Sequence, residues 1–277
     1  MSAPAPQELR DLAVAVARSA AALVREQRRG GVEVADTKSS AVDVVTETDR
    51  ASEELVRRLL LEARPDDAVL GEEGDDVVGT SGVRWVVDPI DGTVNFLYGL
   101  PQYAVSVAAE VDGPQGPEVV AGVVLNVATG VEYAAHVGPQ GPVATRDGRP
   151  IGVRRVVPLS QTLVATGFSY DSEVRERQAR SLTHLLPRVR DIRRLGSCAL
   201  DLCGVAEGSL DAYVEEGVHL WDHAAGALVA RGAGARTELM TGASGRDLLL
   251  CAPAGSFEEF RALVLEAGYA GYPTSGE

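Results

Sequence analysis

Four acidic residues stand where carboxylates could gather at the ends of strands. Asp88 and Asp91 are three apart within residues 84–96, R-W-V-V-D-P-I-D-G-T-V-N-F. Glu72, in L-G-E-E-G, lies sixteen residues before Asp88, and Asp222 lies far downstream in W-D-H. Carboxylates crowded into one pocket suppress each other's ionisation, so such a cluster calls for cations. Oxygen ligands suit a hard divalent ion, and free N–H groups at the start of a helix suit a phosphate beside it. Each residue also has a plainer reading. Asp-Pro-x-Asp-Gly is ordinary turn chemistry, Asp49 and Asp222 could simply cap helices, and Glu72-Glu73 could be a solvated loop. The turn reading is weakened by the company Asp88 and Asp91 keep.

The elements that must position these groups follow from patterning. The apolar run 85–87 predicts a buried strand that stops at Asp88-Pro89, where proline removes a donor; Gly92-Thr93 then opens a helix. The run 68–70 predicts a strand delivering Glu72 to its end. Amphipathic spacing predicts helices over 8–29, stopped by Gly30-Gly31, and over 50–63, with Asp49 at its start. Strands are expected over 104–110, 119–127, 131–136 and 143–157, the last with Asp147-Gly148 as a hairpin turn. Further on, strands over 163–166, 192–195, 212–215 and 248–251 alternate with helices over 173–186, 198–207, 222–232 and 257–267. That alternation predicts a layered α/β arrangement. Pro150 and Pro158 mark a passage between an N-terminal α+β half, 1–155, and a C-terminal α/β half, 156–277.

Composition narrows the class. At 277 residues the chain can bury a large core. Its 26 basic and 40 acidic residues give −14, a surface that repels nucleic-acid backbone, so nucleic acid is not the expected partner. Three cysteines, 198, 203 and 251, suit neither a disulfide framework nor a zinc site. No signal peptide and no membrane-length apolar run is visible, and the expected location is the cytoplasm.

Residues 85–96, W-V-V-D-P-I-D-G-T-V-N-F, and residues 221–234, W-D-H-A-A-G-A-L-V-A-R-G-A-G, resemble the two signatures of the inositol monophosphatase family. The likeness runs from about Lys38 to the C-terminal helix. It implies a five-layered α-β-α-β-α sandwich, dependence on Mg2+ with two to three ions per site, and inhibition by Li+. By this resemblance Glu72, Asp88 and the Ile90 carbonyl hold one ion. Asp88, Asp91 and Asp222 hold a second, and a third is weaker. Thr93 relays a proton from the attacking water to Asp49, and Gly92 and Thr93 offer N–H groups to the phosphate. Lys38 belongs to a loop over the site. Gly196, Ser197 and Cys198, where alanine is common at the last position, face the substrate ring. Glu215 bonds substrate hydroxyls, although Glu216 beside it leaves the register open. His219 and His223 are read as packing residues, because histidine suits softer metals. Phe168-Ser169-Tyr170, Arg193-Arg194-Leu195 and Leu202-Cys203 resemble the bacterial inositol monophosphatases. The resemblance thus implies hydrolysis of inositol monophosphate by a homodimer. The alternatives are histidinol phosphate as substrate, or a transcription- or RNA-associated relative whose catalysis is secondary.

Overall fold

The computed structural model describes residues 4–30, 34–37, 44–113 and 116–270. In chain order its first part runs α1 (Pro6–Arg29), β1 (Val34–Thr37), β2 (Val44–Thr46), α2 (Glu47–Ala63), β3 (Ala68–Gly71), β4 (Val83–Asp91) and α3 (Thr93–Tyr98). There follow β5 (Ala104–Gly113), β6 (Gly116–Asn126), β7 (Glu132–Gly138), β8 (Gly141–Arg146) and β9 (Arg149–Pro150). The remainder is β10 (Leu163–Thr166), α4 (Ser172–Leu185), β11 (Asp191–Arg193), α5 (Cys198–Glu207), β12 (Ala212–Glu216), α6 (Leu220–Gly232), β13 (Ala235–Thr241), β14 (Asp247–Pro253) and α7 (Phe257–Glu266).

Strands β3 to β9 form one seven-stranded sheet in sequence order, antiparallel except for the β3–β4 pair. The second sheet has the order β11-β10-β12-β14-β13, with its first three strands parallel and the last two antiparallel. Parallel neighbours need a crossover, and α4 supplies it between β10 and β11. Three buried clusters bind five layers. Helices α1 and α2 cover the outer face of the large sheet through Leu9, Val16, Val24, Val56 and Leu60. Helices α5 and α6 fill the space between the sheets. Helix α7 covers the outer face of the small sheet through Phe257, Phe260 and Leu263, with α4 packed beside it. The order is therefore α-β-α-β-α, as the resemblance implies.

Period-two alternation explains why β4 is apolar on both faces. Trp85 and Val87 point into the α1–α2 core while Val86 points into the central one. The indole Nε1 of Trp85 is buried and donates to Asp67 Oδ2 at 2.8 Å. In the central layer α6 carries small residues where it crosses β6: a Cβ on Gly122 would lie 3.0 Å from the Ala225 backbone.

Several expectations need correction. Strand β4 does not end at Asp88-Pro89 but reaches Asp91, because a bulge lets pairing resume beyond the proline. The expected strand over 143–157 ends at Pro150. The Asp147-Gly148 turn is present, with both residues at positive φ, but beyond the Ile151 N–H, which donates to the Ala144 carbonyl of β8 at 3.3 Å, the stretch pairs with no strand among the described residues and links the sheets, Val153 N–H donating to Ala233 O at 2.9 Å. Helix α2 begins three residues early, so Asp49 lies inside its first turn and Thr46 is the cap. Helix α6 likewise begins at Leu220 and encloses Asp222. Among the described residues no helix is long and apolar enough to cross a membrane.

Candidate active site

The site is built where β3, β4 and β12 end and α5 and α6 begin, the face where open α/β sheets hold ligands. Its centre is the bulge. Asp88 pairs with Ser106 and Asp91 with Ala104, so one extra residue is accommodated and Ile90 swings out of register. The turn is held from within by the Ile90 N–H donating to Asp88 Oδ1 at 3.0 Å. From below, Ser52 Oγ donates to the Pro89 carbonyl at 3.2 Å. Gly92 follows at φ 93°, and a Cβ there would lie 2.8 Å from the Gln102 carbonyl, so the tight turn into α3 requires glycine.

The carboxylates sit in low-dielectric surroundings that favour their neutral forms. Asp88 is 1% exposed; burial first, then the charges of Glu72, Asp91 and Asp222, push its proton affinity well above the usual carboxylate range. Asp91 is pushed up to about 7 by burial, against hydrogen bonds that favour its charged form. Those bonds come from Ser197 Oγ at 2.5 Å and Ala199 N at 2.7 Å, both to Oδ2. Asp222 is raised by burial and by Glu72 and Asp91, while the His219 N–H donates to its Oδ2 at 2.6 Å. Glu215 is raised by burial and accepts from the Tyr213 hydroxyl at 2.7 Å.

Beneath them lies Asp49, fully buried and raised by burial. Its Oδ2 accepts from the Thr46 N–H at 2.9 Å and from the Thr46 hydroxyl, and its Oδ1 from the Thr93 hydroxyl at 3.0 Å. Thr93 Oγ1 also lies 3.1 Å from the Ile90 carbonyl. Thr93 therefore does not cap its own helix. Gly92 holds that position and the threonine side chain is engaged across the site.

A cleft of about 1160 Å³ opens over these groups. Glu72, Asp88, Ile90, Asp91, Gly92, Thr93, Gly196, Cys198, Glu215 and Asp222 all line it. Ser197 does not. It is 2% exposed, and its hydroxyl is bound to Asp91 while capping α5 through the Leu200 N–H at 3.3 Å. Lys38 lies outside the described residues. His219 lines the rim and stacks on Trp221 at 4.8 Å between centroids. His223 is lowered to about 4 by burial. Among the described residues no three His, Cys, Asp or Glu side chains stand close enough to hold a metal as they are.

Sequence reasoning passed over the basic residues of the cleft. Arg175, Arg194 and Arg246 line it together with the acids, and the charge of Arg194 favours the ionised form of Glu215. Arg246 binds Ser169 Oγ and Asp171 Oδ2, each at 3.0 Å, and Arg175 donates to the Ser169 carbonyl at 2.9 Å. Arg175 on α4 and Arg194 and Arg246 in loops belong to no motif, so the Phe168-Ser169-Tyr170 and Arg193-Arg194-Leu195 strings were what pointed toward this part of the cleft.

Residues 5–266 match the inositol monophosphatase family. The inositol-1-monophosphatase SuhB of Mycobacterium tuberculosis H37Rv is 45% identical over 276 aligned residues, covering 93% of this chain and 94% of that protein. The Nus factor SuhB of Pseudomonas aeruginosa is 36% identical over 85% of this chain and 87% of its own length. The solved structure of Mycobacterium tuberculosis SuhB superposes with a TM-score of 0.78 at 42% identity, covering 96% of this chain and 98% of that one.

Proposed function

The chain belongs to the inositol monophosphatase family, and on that premise we propose that it is a Mg2+-dependent phosphomonoesterase that hydrolyses an inositol monophosphate with water as the nucleophile. The observation that carries this reading is the gathering of Glu72, Asp88, Asp91, Asp222 and the Ile90 carbonyl on one cleft. All are oxygen donors, and carboxylates that raise each other's proton affinity call for positive charge, so the residues fit a hard divalent ion. Glu72, Asp88 and the Ile90 carbonyl would hold one ion, Asp88, Asp91 and Asp222 a second, and a third would be held more weakly near Glu72. Drawing these side chains together around the ions is part of the proposal. Bound there, magnesium would neutralise the phosphate, acidify water and stabilise the leaving alkoxide.

The chain's own groups supply the rest. The Thr93 hydroxyl takes the proton of the attacking water as it gives its own to Asp49 Oδ1, 3.0 Å away. The N–H groups of Gly92 and Thr93 face the phosphate. Gly196, Cys198 and Glu215 meet the ring and its hydroxyls, whereas Ser197 acts on Asp91 by fixing its Oδ2. The loop of Lys38 closes over the site, by family likeness. The half 1–155 contributes Glu72, Asp88 and Asp91, and the half 156–277 contributes Glu215 and Asp222. We place the protein in the cytoplasm as a homodimer.

A cationic substrate such as histidinol phosphate would want a second acid beside Glu215. Glu216 accepts from both the N–H and the hydroxyl of Ser244 at 2.7 Å, which speaks for the uncharged inositol ring instead. A transcription-associated role is the second reading, favoured by relatives named Nus factor SuhB. The net charge of −14 speaks against RNA as a direct ligand.

Phosphate release from inositol 1-phosphate, histidinol phosphate and a nucleotide 3′-phosphate tests the proposal. It expects Mg2+-dependent turnover, fastest on inositol 1-phosphate and inhibited by Li+. Turnover undiminished by a chelator would overturn the metal assignment, and preference for histidinol phosphate would overturn the substrate.

A further inference from the structure

The glycines that bracket Glu72 have a physical cause that lies on another element. A Cβ on Gly71 would run into the Glu53 carboxylate and the Arg57 guanidinium, and one on Gly74 would lie 3.1 Å from Glu53 Oε1. The loop must be bare there because an ion pair of α2, Glu53 buried and Arg57 half-buried, presses against its backbone. Glu53, 2% exposed, accepts the Glu73 N–H at 2.8 Å on Oε2 and the Gly74 N–H at 2.9 Å on Oε1. Arg57, one turn on, donates from Nε to Glu53 Oε1 at 2.7 Å. Its two terminal nitrogens reach the carbonyls of Asp75 at 2.7 Å and Gly74 at 3.0 Å. Two side chains thus hold the N–H groups of Glu73 and Gly74 and the carbonyls of Gly74 and Asp75, immediately after Glu72.

The same helix face serves the rest of the site. Asp49, Ser52 and Glu53 lie within a turn of one another, where helical spacing puts i, i+3 and i+4 on one side. They reach respectively the Thr93 hydroxyl, the Pro89 carbonyl and the Glu73–Gly74 amides. One rigid helix therefore sets the relative positions of three separate parts of the cleft floor. We propose that Glu53 and Arg57 are positioning residues: their ion pair holds the Gly71–Gly74 loop so that Glu72 meets a divalent cation at the correct reach.

This inference rests on the reading of Glu72 as a metal ligand given above. A pair that merely braced a surface loop would affect stability alone. A pair that aims a ligand affects metal affinity, and loss of outer partners of ligands weakens binding by about 10–100-fold.

The test is Mn2+ titration of the full chain, followed by the electron paramagnetic resonance of free Mn2+, with thermal midpoints recorded alongside. Glu53→Gln replaces a two-amide acceptor by a group whose NH2 faces a donor. It and Glu72→Gln should each weaken the tighter site about 10–100-fold. The double variant should bind no more weakly than Glu72→Gln alone, because both act through one ligand. Arg57→Lys keeps the charge but loses the three-way fork, and should fall between wild type and Glu53→Gln. Weakened binding in Glu72→Gln with wild-type binding in Glu53→Gln would overturn the positioning role and leave the ligand assignment standing. Wild-type binding in Glu72→Gln would overturn the ligand assignment and this inference with it. If Glu53→Gln does not fold, Arg57→Lys decides: unchanged Mn2+ affinity overturns the role, and a severalfold loss supports it.

Discussion

Thr93 is where a structural role and a chemical role give opposite outcomes. Its hydroxyl is bound to Asp49 Oδ1 and not to its own helix, so the capping cost of about 1 kcal/mol does not apply. Thr93→Ala should lower kcat by roughly 10²–10⁴-fold, the range of a lost acid–base contact, and Thr93→Ser should retain most turnover. Asp49→Asn should match Thr93→Ala, and the double variant should lose little more than either single. Fully additive losses would mean that the two residues act independently. Ser197 makes a second test at this scale. Removing its hydroxyl deprives a buried carboxylate of one of two donors, so Ser197→Ala should destabilise the protein by about 1.5–3 kcal/mol. An unchanged denaturation midpoint would show that the Asp91 contact contributes nothing.

Helix α6 joins the scales, carrying Asp222 in its first turn and packing against both sheets. It can lie there only because it is thin. A Cβ on Gly226 would stand 2.9 Å from Leu202 Cδ1 and 3.1 Å from the Ala199 carbonyl. Gly226→Val should therefore destabilise by about 1–3 kcal/mol through overpacking, a shift that thermal unfolding can resolve; a wild-type midpoint would contradict such tight packing. Elements of this kind were the most legible in the sequence. Helices α1, α4, α5 and α7, and the apolar strands β3, β10 and β12, follow from their periodicity within a residue or two. What escaped has identifiable causes. Strand β13, A-R-T-E-L-M-T, is an edge strand of mixed polar and apolar residues, with Leu239 exposed and Arg236 and Glu238 paired to side chains of α7, and nothing in that pattern separates it from a loop. The pairing beyond Pro89 depends on a bulge against β5, a tertiary feature with no local signal. The alternating stretch after Pro150 looked like a strand and found no partner strand. In the site the carboxylates were legible because motif and spacing marked them. Glu53 was not, since a glutamate on an amphipathic helix looks like surface charge until the opposing loop is seen.

For the molecule as a whole, the acids of one cleft come from both sheets, so their mutual repulsion opposes the assembly of the sandwich. A cation that binds only the folded chain adds RT ln(1 + [L]/Kd), about 2.7 kcal/mol at a hundredfold excess over Kd. Saturating Mg2+ should accordingly raise the thermal midpoint by several degrees over the chelated protein, and Asp222→Asn should shrink that rise. Equal midpoints with Mg2+ and with chelator would argue against a cation in the cleft. Light scattering over a range of concentrations reports whether the unit is the proposed homodimer. The central claim, that these carboxylates hold divalent ions, is tested most directly by anomalous diffraction from a crystal soaked in Mn2+. The account predicts one peak among Asp88, Asp91 and Asp222 and another between Glu72, Asp88 and the Ile90 carbonyl. Strong Mn2+ peaks elsewhere, with none in this cleft, would contradict it.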